Sequence, residues 1–330
     1  SAFGFQALNG NTTGEGNTGL GRKTLFTNST GGQNTAVGQG ALLANTTASE
    51  NVAVGYDSLV ANTTGTDNVA VGYHALKSNT TAGNNTAVGA NALDASTTSS
   101  SNTAVGSQAA TSLTTGDGVL ALGTSAAESM TTGAANAVAG FQAGQYLTTG
   151  SNNTAFGKQA LQSVSTGSSA ANNTALGSEA LKVNTTGSEN VAVGQAALDA
   201  NTTGASNTAL GRASLSANTT ANGNTGVGES ALRFNTTGEG NTAVGASSAD
   251  ALTTGTNSTA VGHNALTSAT TSSFNTVLGK SAGEAITTGA GNIAIGYNAL
   301  DEMTTGSSNV AIGTKAMANT ATAVGGTVAI

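Results

Sequence analysis

Across 330 residues the chain carries sixteen acidic and nine basic side chains, a net charge of −7, with 3% aromatic and 8% charged residues, 47 Gly, and neither Pro nor Cys. Zero Cys excludes disulfides and thiolate metal sites and leaves the redox compartment open. The bases are scattered singly apart from Arg22-Lys23, so the basic stripe that nucleic-acid binding needs is missing, and no apolar run approaches the ~18 residues of a membrane span.

Abundant Thr, Asn and Ser with little charge would also suit a disordered chain. The regular placement of Val, Ile, Leu and Ala argues for order. A tract of seventeen residues recurs about nineteen times, and its fifth place is Gly in every copy from Gly4 to Gly313. The consensus is Asn-Thr-Ala-Val-Gly, two variable residues, Ala-Leu, two more, then Asn-Thr-Thr-Gly and two loop residues. Each copy is too short to bury its own apolar face, so copies are stable only when stacked.

Ser1 to Gly4 match positions 2 to 5, so the chain opens inside a repeat and reads as a processed chain or a piece of a longer one. Within each tract, positions 1 to 5 predict a strand, because β-branched residues alternate there, as in Thr35 and Val37 or Val52 and Val54. The position-5 Gly ends it, and an unbroken Gly column means positive φ or a close approach by the next coil. Positions 6 to 10 predict a second short extended piece carrying Ala-Leu at 8 and 9. Asn-Thr-Thr-Gly has turn chemistry. The expected fold is an all-β parallel β-solenoid, or β-roll, of about 19 coils with two short strands each. At a coil spacing of about 4.8 Å this makes a rod roughly 90 Å long. Residues 1–313 form the continuous repeat domain. Gly157 and Gly177 are twenty residues apart, so a longer loop is expected at 168–172. Residues 314–330 read as an irregular final coil, a cap or a change of repeat, with Ala323-Val324-Gly325 arriving early.

Three columns support stacking in register. Where position 9 is Leu, position 12 is usually Asn (Leu42/Asn45, Leu59/Asn62); where 9 shrinks, 12 grows (Ala110/Leu113, Ala127/Met130, Gly144/Leu147). Close-packed interiors conserve volume, so both belong to one core layer, with Leu300/Met303 and Leu161/Val164 as exceptions. At position 10, Lys77 and Asp94, Lys182 and Asp199, and Arg233 and Asp250 stand one period apart, which suits neighbouring strands; Glu284 and Asp301, and Glu50 and Asp67 at position 17, break that rule. Asn at position 1, as at Asn34, Asn51 and Asn68, forms a column able to hydrogen-bond up and down the stack.

If positions 2 and 4 face the interior, position 3 faces out. The column Ala36, Ala53, Ala70, Ala87, Ala104, Ala192, Ala243 and Ala294 is then a lengthwise apolar strip, the candidate self-interface. The reverse assignment turns Thr-Val to the partner instead. Asn-Thr-Thr also matches the N-glycosylation sequon, at Asn45, Asn62 and Asn201 among others. The exchange with Leu at position 12 points those Asn inward. At positions 6 and 7, Tyr56, Tyr73 and His74 fall together on adjacent coils, a candidate surface contact patch for a sugar or a partner protein.

Asn51-Val52-Ala53-Val54-Gly55 and Asn292-Ile293-Ala294-Ile295-Gly296, each followed shortly by Ser-Leu or Ala-Leu, resemble the head repeats of trimeric autotransporter adhesins. Those heads are left-handed parallel β-rolls wound as trimers, on a shorter period. The full tract, as in Asn190 to Ser206, is similar to repeats of bacteriophage and bacterial tail-fibre-type proteins. The resemblance covers essentially the whole chain. It implies a homotrimeric, extracellular fibre at a cell surface or on a virion, used for attachment, with a cell-surface glycan or protein receptor as partner. The chemistry agrees: two isolated His, no Cys, and no recurring Ser-His-acid or facing carboxylates predict a protein that is not an enzyme and holds no cofactor or metal. Two other readings are a self-assembling extracellular filament subunit and, more remotely, an ice-binding solenoid.

Overall fold

The computed structural model describes residues 1–163, 167–318 and 325–330. The chain divides into two compact units, Ser1–Ala170 and Ala171–Ile330. Each is a parallel β-solenoid. Among the described residues the first holds ten strands, from Ala2–Phe3 to Thr154–Phe156, and the second ten, from Thr174–Leu176 to Val328–Ala329. Within each unit, each strand pairs in parallel with the next, as in Val52↔Val69, Ala53↔Ala70 and Val54↔Val71. Like residues therefore pile into columns, and the seventeen-residue period is the coil.

Among the described residues there is one strand per coil, at positions 2 to 4, and the expected second strand is absent. Extended chain sends successive side chains to opposite faces. Yet Ala and Leu at positions 8 and 9 are both buried, as at Ala41 and Leu42 or Ala75 and Leu76. The chain meets this by turning: positions 7 and 9 take left-handed φ, 51° at Asp57 and 49° at Leu59. Such a residue costs about 1–2 kcal/mol. Full burial of the Leu contributes about 1.5–3 kcal/mol, and stacking holds the geometry. The N–H groups bond between coils: Asp57 N–H donates to Gln39 O (2.9 Å) and Leu59 N–H to Ala75 O (3.0 Å).

Position 5 needs glycine for two separable reasons. Gly21 has φ 135°, and a Cβ there would lie 2.8 Å from the carbonyl carbon and oxygen of Gly38. Gly313 keeps φ 131°, but its nearest neighbour to such a Cβ is Ala316 Cβ at 4.0 Å. The close approach belongs to the stack, the φ to the coil itself.

The stretch 168–172 does not bulge. Leu147 bridges to Ser168, Thr148 N–H donates to Ser168 O (2.9 Å), and Asn153 Nδ2 donates to Ala170 O (2.9 Å). From Ser168 onward the chain is therefore in register with the coil before it; Val164 lies outside the described residues. At the other end, Thr314 to Ala318 keep the repeat geometry, with Lys315 N–H on Tyr297 O (2.8 Å) and Leu300 N–H on Ala316 O (3.0 Å). Val328 and Ala329 then pair with Val310 and Ala311, one residue beyond the usual period. Ala323 and Val324 lie outside the described residues.

Candidate functional site

The interior of each coil is lined by positions 1, 3, 8, 9, 12 and 15, and its polar members bond along the column. Asn34 Nδ2 donates to Asn17 Oδ1 (3.1 Å), Asn51 to Asn34 (3.2 Å) and Asn68 to Asn51 (3.1 Å). A second ladder runs at position 12, with Asn45 on Asn28 (2.7 Å), Asn62 on Asn45 (3.1 Å) and Asn79 on Asn62 (2.8 Å). The sequon asparagines from Asn45 to Asn235 are thus core residues. A glycan on Asn62 Nδ2 would have to displace the Gly65 carbonyl it already binds at 2.9 Å.

The Ala column is also inside, which corrects the expected self-interface. Ala36, Ala53, Ala70, Ala87, Ala192, Ala243 and Ala294 are 0% exposed and Ala104 1%. Period-two alternation places position 3 on the same side as the inward Asn at position 1. Packing shows the same constraint. Where position 3 enlarges to Val138, position 9 is Gly144, whose added Cβ would lie 3.2 Å from Val138 Cγ1; Val277 and Gly283 repeat the exchange. Both sequence signals bear on the orientation that a strand-only reading missed.

Positions 2 and 4 therefore form the outer face. Position 4 is apolar in every coil from Phe3 to Ile312. Its members are half-buried to exposed, with Leu20, Val105, Phe156 and Leu278 at 40–48%. Position 2 is Thr or Val in most coils.

Beyond the glycine turn, the three expected aromatic residues do come together. Tyr56 and Tyr73 stack with centroids 5.6 Å apart and planes 14° apart, and His74 stacks on Tyr73 at 3.8 Å. Tyr56 and Tyr73 are 43% and 52% exposed. The other exposed aromatics at position 6, Phe5, Phe141 and Tyr297, have no aromatic neighbour at position 6 on the adjoining coil.

The charged columns behave differently from expectation. Among the described residues no ion pair joins Lys77 to Asp94, Lys182 to Asp199 or Arg233 to Asp250. Lys182 instead meets Glu179 of its own coil at 3.3 Å, and Arg233 lies over the Phe234 ring at 4.7 Å. Long cationic side chains stay at the wet surface, whereas the short Asp side chains are half-buried. Burial pushes the carboxyls of Asp199 and Asp250 up. The only other ion pair among the described residues joins Arg212 to Glu229 one coil on. Glu50 and Asp67 hydrogen-bond across one rung, which raises the Glu50 carboxyl above its ordinary range.

No protein-family model matches the chain, and no curated protein matches it. Among the described residues no group of three His, Asp or Glu is placed to hold a metal ion, no cavity opens, and no helix is long and apolar enough to cross a membrane. What the arrangement offers is surface: an apolar strand face and one aromatic stack.

Proposed function

We propose that the chain is a structural segment, shaft or head, of an extracellular fibrous attachment protein of a cell or virion, and that it works without catalysis. The observation that carries this reading is the outward column at position 4, apolar in every coil and part-exposed throughout. Within each unit that column is a contiguous apolar strip, which monomers seldom leave bare. Its occupant in this reading is a second and third copy of the same chain, packed lengthwise as a homotrimer. That number comes from the repeat resemblance and the chemistry from the Thr-Val face. The Asn ladders support a mechanical role, since wherever they run they tie one coil to the next through hydrogen bonds buried from water.

Light scattering on the purified chain is expected to give three times 31.5 kDa. Val88→Asp, on the outer face, should lower that mass while leaving the β-type circular dichroism unchanged. A 31.5 kDa particle for the unaltered chain at micromolar concentration would overturn the lengthwise trimer. Ice binding is disfavoured by the turn threonines: Thr46 Oγ1 donates to Thr63 O (3.0 Å) and Thr63 Oγ1 to Thr80 O (3.0 Å), so only one of each adjacent pair offers its hydroxyl outward.

A further inference from the structure

We infer that the face of Tyr56 turned away from Tyr73 is a docking platform for a pyranose ring of a surface glycan, with Asp57 and Gln39 as its hydrogen-bonding partners. The inference rests on the attachment reading and names what the fibre would attach to. Tyr73 and His74 both belong to the following coil and both lie against Tyr56, with centroids 5.6 Å and 5.8 Å away, while His74 stacks on Tyr73. The opposite face of Tyr56 looks toward the preceding coil, where position 7 is Gly40 and position 6 the exposed Gln39. No ring covers that face among the described residues.

Asp57 shares the orientation. A Cβ added at Gly40 would collide with Asp57 Oδ1, so the carboxylate reaches back over the bare backbone of Gly40. It accepts no hydrogen bond among the described residues, and its N–H is occupied by Gln39 O at 2.9 Å. The uncovered aromatic face and the uncommitted carboxylate thus open onto the same ledge, next to the exposed residue Gln39.

A sugar ring matches this set. Its C–H face is apolar enough to lie on an aromatic ring, and its rim of hydroxyls donates to a carboxylate and exchanges bonds with an amide. A ledge without walls suits one ring of a longer chain better than a small molecule that must be enclosed. Tyr73 and His74 back the platform and hold the Tyr56 ring, which reduces the ordering cost of binding. Position 6 follows the glycine turn, off the strand, so the ledge stays accessible when the Thr-Val face is occupied.

The test is saturation-transfer NMR on the full chain with methyl β-galactopyranoside, methyl β-glucopyranoside and methyl α-mannopyranoside at millimolar concentration. Transfer is expected to the ring C–H protons of at least one of them. Tyr56→Ala should weaken that binding about tenfold, while Tyr56→Phe should preserve it. Asp57→Ala should weaken it, and Tyr297→Ala, a lone exposed ring, should not. Circular dichroism of Tyr56→Ala checks that the coil is intact. Absence of transfer to all three sugars, or transfer that survives Tyr56→Ala, overturns the platform. Light scattering on the same sample separates the two readings: a trimer that ignores sugars sinks the platform alone, and a monomer that binds them sinks the trimer alone.

Discussion

Two regions of the first unit fill the same place in the coil with opposite chemistry. From Asn28 to Asn79, position 12 is a ladder of amides beneath Leu at position 9. From Leu113 through Met130 to Leu147, it is apolar, and position 9 is Ala or Gly; both versions are fully buried. The backbone does not choose between them, since volume is conserved either way. The difference shows at the junction. Asn79 Oδ1 faces the shorter Ser96 and is buried without a partner, and in the second unit Asn235 Oδ1 is stranded where the next coil presents Leu252. The amide column at position 12 leaves the acceptor at its end stranded, whereas an apolar column has no end to satisfy.

Breaking the ladder from within tests this most severely. Asn62→Leu leaves Asn45 Oδ1 without its donor and crowds Leu59. Overpacking costs about 1–3 kcal/mol, and the stranded acceptor about 1–3 kcal/mol more. Hydrogen exchange at the amides of Leu59, Asn62 and Asn79 should report the sum as faster local opening. Leu59→Ala with Asn62→Leu converts the coil to the apolar kind and should recover the packing share, leaving about 1–3 kcal/mol for the acceptor. If the double substitution were no milder than Asn62→Leu alone, the two positions would not share a layer. The smallest effect belongs to Ala249→Leu with Leu252→Asn, which lengthens the ladder by one coil. A new amide would reach Asn235 Oδ1 and the Gly255 carbonyl, but its own acceptor would face Ala269. The stranded atom moves rather than disappears, so exchange there should change by less than about 1 kcal/mol.

Much of this was legible in the sequence because columns announce themselves. The period, the glycine and the exchange between positions 9 and 12 follow from copies facing copies. The orientation of the strand was legible too, from two facts that had to be joined: the Asn51 side chain belongs to an inward ladder, and Ala53 is two residues along the same strand. Val138 opposite Gly144 carries the same message. The left-handed turn at Leu59 was not legible, since Leu does not signal positive φ and stacked neighbours impose it, whereas Asp57 is of a type that visits that region. Adjacency of Tyr56, Tyr73 and His74 came from the period alone, but which ring face stays open depends on side-chain rotamers.

The exposed column at position 17 completes the contrast between self-satisfying and self-opposing columns. An Asn can give and take, so identical neighbours bond to each other. Two ionised carboxylates can only accept, and the hydrogen bond between Glu50 and Asp67 requires a proton between them. That bond, and then the repulsion of the neighbouring charge, raise the Glu50 carboxyl. A group that binds its proton more tightly when folded contributes stability at low pH and loses it as pH rises from its unfolded value, about 4.3, through its higher folded value. Carboxyl-detected NMR should place the Glu50 titration above the ordinary value for a glutamate. Asp67→Asn supplies a donor in place of the competing acid, so the Glu50 titration should fall back to the ordinary range or below. A Glu50 titration unmoved by this substitution would mean that the rung does not couple the two side chains, and that exposed columns escape the rule governing buried ones.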